Sequence, residues 1–474
     1  MGSHISLDEE VFKKIGTHEF MESAPYAREI EIKGKLTRDV VEEISRIKKE
    51  PDWMRRLRLR SLEWFYKLPM PKWLPGVESI DLEELVYYVK PDVPKVTRWE
   101  DLPEEIRRYY ERLGLPEEEA RVLAGLQTVM DSENVFSVVK EKLREKGVIL
   151  MSMDEAVQKD LPIVKEYFMK VFPPTDHKFA ALHGALWSGG VFLYMPKGVR
   201  IPEPIEGFFL IGSAMEGQFE HTLIVADEGS YVNFIEGCSA PRFVGYSFHD
   251  GMVEIYAHRN STVRFTTLQN WSKNVINYNN KRAIAESGAK VYWFEGSIGA
   301  KITVTYPSTI LRGRGSVSES YVVSLSKGPV LKDTGSKMIH LAPNTRSKIV
   351  NKSISVDGGV NIYRGLVKIA KGAKNSAAHV ECDSLIMDGK SAAHTFPHNQ
   401  VDEPTASITH EATTGRLSES QLFYLMSRGF SESEAKSLIV LGYLENVLVN
   451  LPFEMVNVLR RVVQLEFSEL GAVG

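Results

Sequence analysis

Between about residue 176 and residue 412 the chain runs as short β-branched and aromatic segments broken by small turns, without helical periodicity. The turns recur: PKGVRI at Gly198, DEGSYV at Gly229, RNSTVR at Asn260, ESGAKV at Gly288, GRGSVS at Gly315, PNTRSK at Asn344 and KGAKNS at Gly372. Their spacing is nearly constant, within the range typical of a repeat architecture. A Gly or Asn turn followed by a strand at this period predicts one solenoid coil per interval. Strands one full coil apart stack in parallel. The pattern therefore predicts a mainly β protein with a parallel β-helix core over residues 176–412. A β-sandwich would turn about every 8 to 12 residues in hairpin style, and few two-residue hairpin signals occur here.

The flanks read differently. Residues 1–175 show helical spacing. Thr37 caps RDVVEEISRIKKE, which carries Val41, Ile44 and Ile47 on one face. A second helix, WMRRLRLRSLEWFYKL, ends at Pro69-Met70-Pro71. Further starts lie at Asp101-Leu102-Pro103 and Leu115-Pro116. Residues 413–474 return to helix. SESQLFYLMSR stops at Gly429, and Ser431 with Glu434 forms a capping box. In PFEMVNVLRRVVQLEF the residues Phe453, Val456, Leu459, Val463 and Phe467 share one face. That face either docks on the chain's own solenoid or receives a partner.

Composition narrows the function. The 474 residues carry a net charge of −4, which argues for neither a nucleic-acid nor a membrane surface. No apolar run is long enough to span a membrane. The opening Met1-Gly2-Ser3-His4 has no apolar signal core, and two cysteines are too few for a disulfide framework, so a reducing cytoplasm is expected. Each cysteine is a small buried hydrophobe or a working thiol. Phosphate loops, GxGxxG, HExxH, CxxC and GxSxG are all absent, so the chain is not expected to hydrolyse nucleotide or act as a familiar hydrolase.

The coil period makes one constellation stand out. Cys382 and Glu411 are one coil apart by the turn count. Laying HVECDS over ITHEAT places Cys382 beneath Glu411 on one strand face, about 4.8 Å away. Glu381 and His410 pair on the opposite face, with His394 and His398 in the connecting turn. Such ligands suit iron or zinc. Cys238 lies about five coils before Cys382 on the same count. That is roughly 24 Å along the axis, far beyond disulfide reach. The two thiols cannot share one site within a chain, so if both work, something must travel between them. Gln269, Trp271 and Lys281 follow Cys238 in the next coils. Lys281 is either a surface lysine or a cation that lowers a thiol pKa or steers an anionic sulfur species.

Several long segments resemble the SufB/SufD family of the Suf iron–sulfur assembly machinery, its SufB branch in particular. They include EPDWMRRLRLRSLEWFYKLPMPKW, GQFEHTLIVADEGSYVNFIEGCSAP, TTLQNWSKNVINYNNKRA, VECDSLIMDG and THEATTGRLSESQLFYLMSRG, in family order over nearly the whole chain. The resemblance implies a right-handed parallel β-helix between two helical domains. It implies a scaffold, not an enzyme. Persulfide sulfur from a cysteine desulfurase and iron are received, and a nascent cluster is held. It implies the ATPase SufC on the C-terminal helices, and SufD or a second copy along the β-helix. It assigns Cys382 and Glu411 as cluster ligands with His410 beside them, Cys238 as sulfur acceptor, and Gln269, Trp271 and Lys281 to the sulfur path. Reduced FAD is associated with such complexes. Leu210-Ile211-Gly212 stands where many members carry Arg-x-Asn, and Thr409 replaces an acidic residue. Two other readings are a SufD-like structural partner and a β-helix carbohydrate-active enzyme. The latter would need repeated outer rows of Asp, Arg or Lys and aromatics, and no such row is present in the sequence.

Overall fold

The computed structural model describes residues 26–449, except 78–79, 105, 108–122, 213–214 and 241–245, together with Val456, Arg460, Val463 and Phe467. Its centre is a parallel β-solenoid of about eight turns. One wall stacks Tyr231–Ala240, Thr262–Trp271, Lys290–Gly299, Val317–Lys327, Arg346–Val356, Ala377–Ile386 and Ser407–Arg416, all parallel and in register. The second wall stacks Ser247–Ala257 and Val275–Ala285, then shorter strands, then Val360–Ile369 and Ala392–Val401.

The turns explain the stacking. Gly198, Gly229, Asn260, Gly288, Gly315 and Asn344 all have φ between 57° and 71°, the left-handed region that Gly and Asn tolerate. Each donates its backbone N–H to the residue just before the next turn position, from Gly198 to Glu228 O through to Asn344 to Lys374 O, at 2.8–3.0 Å. The ladder therefore continues at Asn375 (φ 56°), directly after Lys374. Gly372, the position expected from sequence, is also left-handed (φ 92°) but donates to the Glu403 carboxylate instead.

The N-terminal helices form as expected. Arg38–Ile47 starts with the Thr37 hydroxyl accepting from Val40 N–H, and Asp52–Lys67 follows. Yet the region is not only helical. Gly125–Met130 joins the first wall beside Ile205–Leu210, and Ile149–Ser152 joins the second beside Val191–Met195. The sheets therefore begin before residue 176. The helix expected after Pro116 lies outside the described residues, as does most of the ones after Pro103 and Pro452.

At the other end Ser418 caps Glu419–Ser427, and the Ser431/Glu434 capping box opens Glu432–Leu448. Val440, Leu444, Val447, Val463 and Phe467 pack with Phe294, Tyr321, Val350 and Ile354 on the outer face of the first wall. So the described members of the closing segment's apolar face, Val456, Val463 and Phe467, pack on the chain's own solenoid. Each such side chain contributes roughly 1.5–3 kcal/mol by burial. Phe423, Tyr424, Met426, Phe430 and Val449 stay exposed.

Candidate functional site

Inward-facing positions of a buried β-helix are ordinarily apolar, and in the first coils they are: Val232, Val263 and Val291 form one core with Phe234, Phe265 and Trp293. Two residues further along each strand the interior turns polar. On the first wall one ladder reads Glu236, Thr267, Glu295, Val322, Asn351, Cys382. The next reads Cys238, Gln269, Ser297, Ser324, Ser353, Ser384. The second wall answers with His249, Asn277, Thr303, Lys332, Asn361. Cross-bonds join the walls: Asn277 Nδ2 to Gln269 Oε1 at 3.2 Å, Lys332 Nζ to Ser297 Oγ at 3.1 Å, and Ser324 Oγ to Asn361 Oδ1 at 2.9 Å. A polar column thus runs inside the solenoid, with Cys238 near one end and Cys382 at the other.

Cys238 sits in a closed network. Gln269 Nε2 donates to Cys238 Sγ at 3.2 Å and to Glu236 Oε1 at 3.3 Å. Trp271 Nε1 donates to Gln269 Oε1 at 2.6 Å. Lys281 Nζ lies 3.1 Å from Glu236 Oε1 and 3.8 Å from Glu295 Oε2, with both ends of each pair 1% exposed. Lys281 is therefore no surface lysine. Burial alone would depress its ammonium, but the Glu236 and Glu295 carboxylates outweigh that and hold it above its ordinary range. Burial pushes the Cys238 thiol well up, with Glu236 and Glu220 adding to it, while Lys281 and Gln269 pull it back. The sequence-predicted residues Cys238, Gln269, Trp271 and Lys281 are brought together in one cluster.

The last coil corrects the expected metal cluster. Cys382 pairs with Ala412 and Glu411 with Glu381, so this coil is one residue longer than the turn count implies. A one-residue slip moves a side chain to the other face of the strand. Cys382 points inward, 1% exposed, with its Sγ 4.0 Å from Thr395 Oγ1 of the opposite wall. Glu411 lies on the outer face with Glu381, and Glu381 is held by Lys352 Nζ at 2.7 Å. His410, opposite Val380, shares the inward face with Cys382, and its Nδ1 is 3.2 Å from Asn399 Nδ2. His394 and His398 are not in a turn but on the strand Ala392–Val401, alternating with the inward Thr395 and Asn399 and so on its outer face. Among the described residues no three His, Cys, Asp or Glu side chains converge on one point. Burial raises the Cys382 thiol to about 12, with the Thr395 contact and Lys352 lowering it and Asp383 raising it. Burial also lowers the His410 imidazole.

The strands Ala392–Val401 and Ser407–Arg416 end the walls, each with one unpaired edge among the described residues. Both are ten residues long and mostly exposed. Edges of that length are normally covered.

The polar column escaped sequence reading. Its signal was present: Ser297, Ser324, Ser353 and Ser384 recur one coil apart at strand positions where a buried wall calls for Val or Ile. Asn351 and Tyr363 escaped as well. Asn351 adjoins Cys382 in register and Tyr363 adjoins Thr395. Both polar atoms of the Asn351 side chain, and the Tyr363 hydroxyl, are buried without a hydrogen-bond partner among the described residues.

Comparison with known proteins agrees with this architecture. The model for the SUF system FeS cluster assembly SufBD core domain matches residues 209–443, and that for the SufBD protein N-terminal region matches residues 123–206. The iron–sulfur cluster assembly protein SufB of Bacillus subtilis is 44% identical over 439 residues, covering 93% of this chain and 94% of that protein. SufBD family proteins of Staphylococcus haemolyticus and Staphylococcus epidermidis are 43% identical over the same lengths. The chain belongs to the SufBD family of iron–sulfur cluster assembly proteins.

Proposed function

We propose that this iron–sulfur assembly protein is a scaffold that takes sulfur at Cys238 and presents it, with iron, at the open last coil around Cys382. The observation that carries the reading is the polar column joining two buried thiols. A buried unpaired polar group costs about 1–3 kcal/mol. Asn351 and the Tyr363 hydroxyl lie along the column without hydrogen-bond partners among the described residues, so they suit a polar occupant such as water or hydrosulfide.

The chemistry balances as persulfide exchange. The Cys238 thiol loses its proton, and the thiolate attacks the outer sulfur of a donor persulfide. A new S–S bond forms on Cys238 as the donor's S–S bond breaks, and the donor leaves as thiolate. The chain has only two cysteines, so no thiol lies between Cys238 and Cys382 to pass the sulfur along. Onward movement over about five strand spacings therefore requires a diffusing sulfur anion. Releasing sulfide from the persulfide takes two electrons from outside the chain, for which reduced FAD is the reductant the family resemblance implies.

Cys382 and His410 face the interior together and supply two ligands. Glu411 reaches the same cluster only around the free edge of the last strand. The remaining ligands come from a second chain, SufD or another copy, paired along the two open strand edges. The exposed Phe423, Tyr424 and Met426 on the C-terminal helices suit docking of the ATPase SufC. A cysteine desulfurase supplies the persulfide, and the setting is the cytoplasm.

The test is anaerobic reconstitution of the protein with its ATPase. Iron and free sulfide should give cluster absorbance in the wild type and in Cys238→Ala. With a persulfide donor, Cys238→Ala should fail. Cys382→Ala should lose absorbance under both conditions. Full absorbance in Cys382→Ala sinks the ligand assignment, and identical behaviour of the two variants sinks the relay.

A further inference from the structure

Gln269 holds Cys238, and its own orientation is fixed from behind by residues that no motif singled out. An indole N–H only donates, so the Gln269 atom 2.6 Å from Trp271 Nε1 is the carbonyl oxygen. The Gln269 amide nitrogen therefore faces Cys238 Sγ. The same oxygen accepts from Asn277 Nδ2 at 3.2 Å, which turns the Asn277 oxygen away from Gln269. That oxygen receives Asn279 Nδ2 at 2.9 Å and His249 Nδ1 at 2.7 Å, so Nδ1 carries a proton. On the far side His249 Nε2 lies 2.9 Å from Glu220 Oε1, a close approach without hydrogen-bond geometry. All seven side chains are buried.

A second observation shows that space is kept for this arrangement. A Cβ on Gly251 would fall 2.3 Å from Glu220 Oε1, 2.8 Å from Asn279 Oδ1 and 2.9 Å from His249 Cε1. Only glycine leaves room there for the carboxylate and the ring. The His249 ring also packs against Trp271 at 4.6 Å between centroids.

We propose that His249 and Asn277 are positioning residues that hold the Gln269 amide with its N–H on the Cys238 sulfur, so that the thiolate or persulfide anion forms there. The proposal rests on Cys238 as sulfur acceptor and deepens that reading. Successive donors in one chain polarise each other, and the chain ends on the sulfur. The charged groups facing that sulfur are Glu236 and Glu220, which oppose the anion, and Lys281, which favours it. Glu295 faces Lys281 from the next coil. Without His249 the Asn277 oxygen keeps Asn279 as its one side-chain donor, so Asn277 is held less firmly as the second donor to Gln269 Oε1 beside Trp271.

The test uses the full chain with Cys382→Ser, which leaves Cys238 as its one thiol. The rate of iodoacetamide alkylation is measured at about pH 8.5, where it follows the thiolate fraction. His249→Leu should slow alkylation about tenfold, one unit of thiol pKa. His249→Asn, whose amide still donates toward Asn277 Oδ1, should stay within about twofold of the parent. Merely structural damage would loosen the buried site and speed alkylation, so the sign separates the two roles. Unchanged or faster alkylation in His249→Leu overturns the proposal, as does equal slowing in His249→Asn. Persulfide-dependent assembly in Cys238→Ala is scored separately. If that variant assembles normally, the acceptor reading falls while the alkylation result still decides the positioning role.

Discussion

The two thiols sit in the same column but in opposite kinds of surroundings. Cys238 is enclosed by a network in which Gln269, Trp271, Glu236 and Lys281 bind one another. Among the described residues Cys382 makes one polar side-chain contact, to Thr395 at 4.0 Å, and lies beside an Asn351 whose polar atoms have no partner. The first is built to stabilise charge inside one chain. The second is incomplete, and it lies where both walls end in uncovered strands. Under the proposed function, the closed site would handle a step that needs no metal, and the open one would leave coordination positions for a partner.

The sharpest way to break this contrast is to remove the cation of each region. Lys281→Ala strands the Glu236 and Glu295 carboxylates in a dry interior. It should cost about 3–5 kcal/mol, the penalty for breaking a buried pair. Lys352→Ala, near Cys382, leaves Glu381 and Asp383 on the outer face, where they are partly exposed to solvent. It should cost about 1 kcal/mol or less. Urea midpoints of the two variants measure this directly. Equal losses would mean that the two regions are equally closed.

The next contrast is in ionisation. With Cys238→Ser in place, Cys382 is the remaining thiol. Its pKa, raised by burial to about 12, leaves it protonated at working pH. Alkylation should rise about tenfold per pH unit from near 7 to near 11 without a plateau. The linkage has a definite sign. The folded-state value lies above the ordinary 9.0, so the thiol's contribution to stability is full below about pH 9 and lost as pH rises toward about 12. Under the proposed ligation, iron capture at Cys382 would expel that proton and so strengthen with pH over the same window. A plateau below about pH 10 would show the last coil stabilising a thiolate.

The period of the solenoid was legible because left-handed turns demand Gly or Asn, and six of the seven turn positions read from sequence fall on the turn ladder. The register of the last coil was not legible. KGAKNS contains two left-handed residues, Gly372 and Asn375, and only stacking against Lys374 reveals which continues the ladder. Laying HVECDS over ITHEAT at the average interval put Glu411 over Cys382, whereas the strands pair Cys382 with Ala412. The acceptor cluster was half visible. Motif resemblance pointed to Cys238, Gln269, Trp271 and Lys281, whereas Glu236, Asn277 and His249 carry no local signal. They meet only because successive coils align them, as Cys238 pairs with Gln269 and His249 with Asn277. The strands before residue 176 were hidden for another reason. They are four to seven residues long and lie among helices.

The smallest effect discriminates most finely between the two faces of the final strand. His410 shares the inward face with Cys382, and Glu411 points out beside Glu381. In the chain without a partner, His410→Ala should weaken iron(II) binding about tenfold, a loss typical of a disturbed ligand environment. Glu411→Ala should cost only about 0.7 kcal/mol, roughly threefold. Equilibrium dialysis of both variants against the wild type reads the difference. Adding the second chain then sharpens it. Once a partner covers the strand edge, a cluster on that edge lies within reach of both faces, and the Glu411→Ala loss should grow toward that of His410→Ala. A Glu411→Ala loss that stays at threefold in the paired assembly would remove Glu411 from the ligand set and leave Cys382 and His410 as this chain's whole contribution.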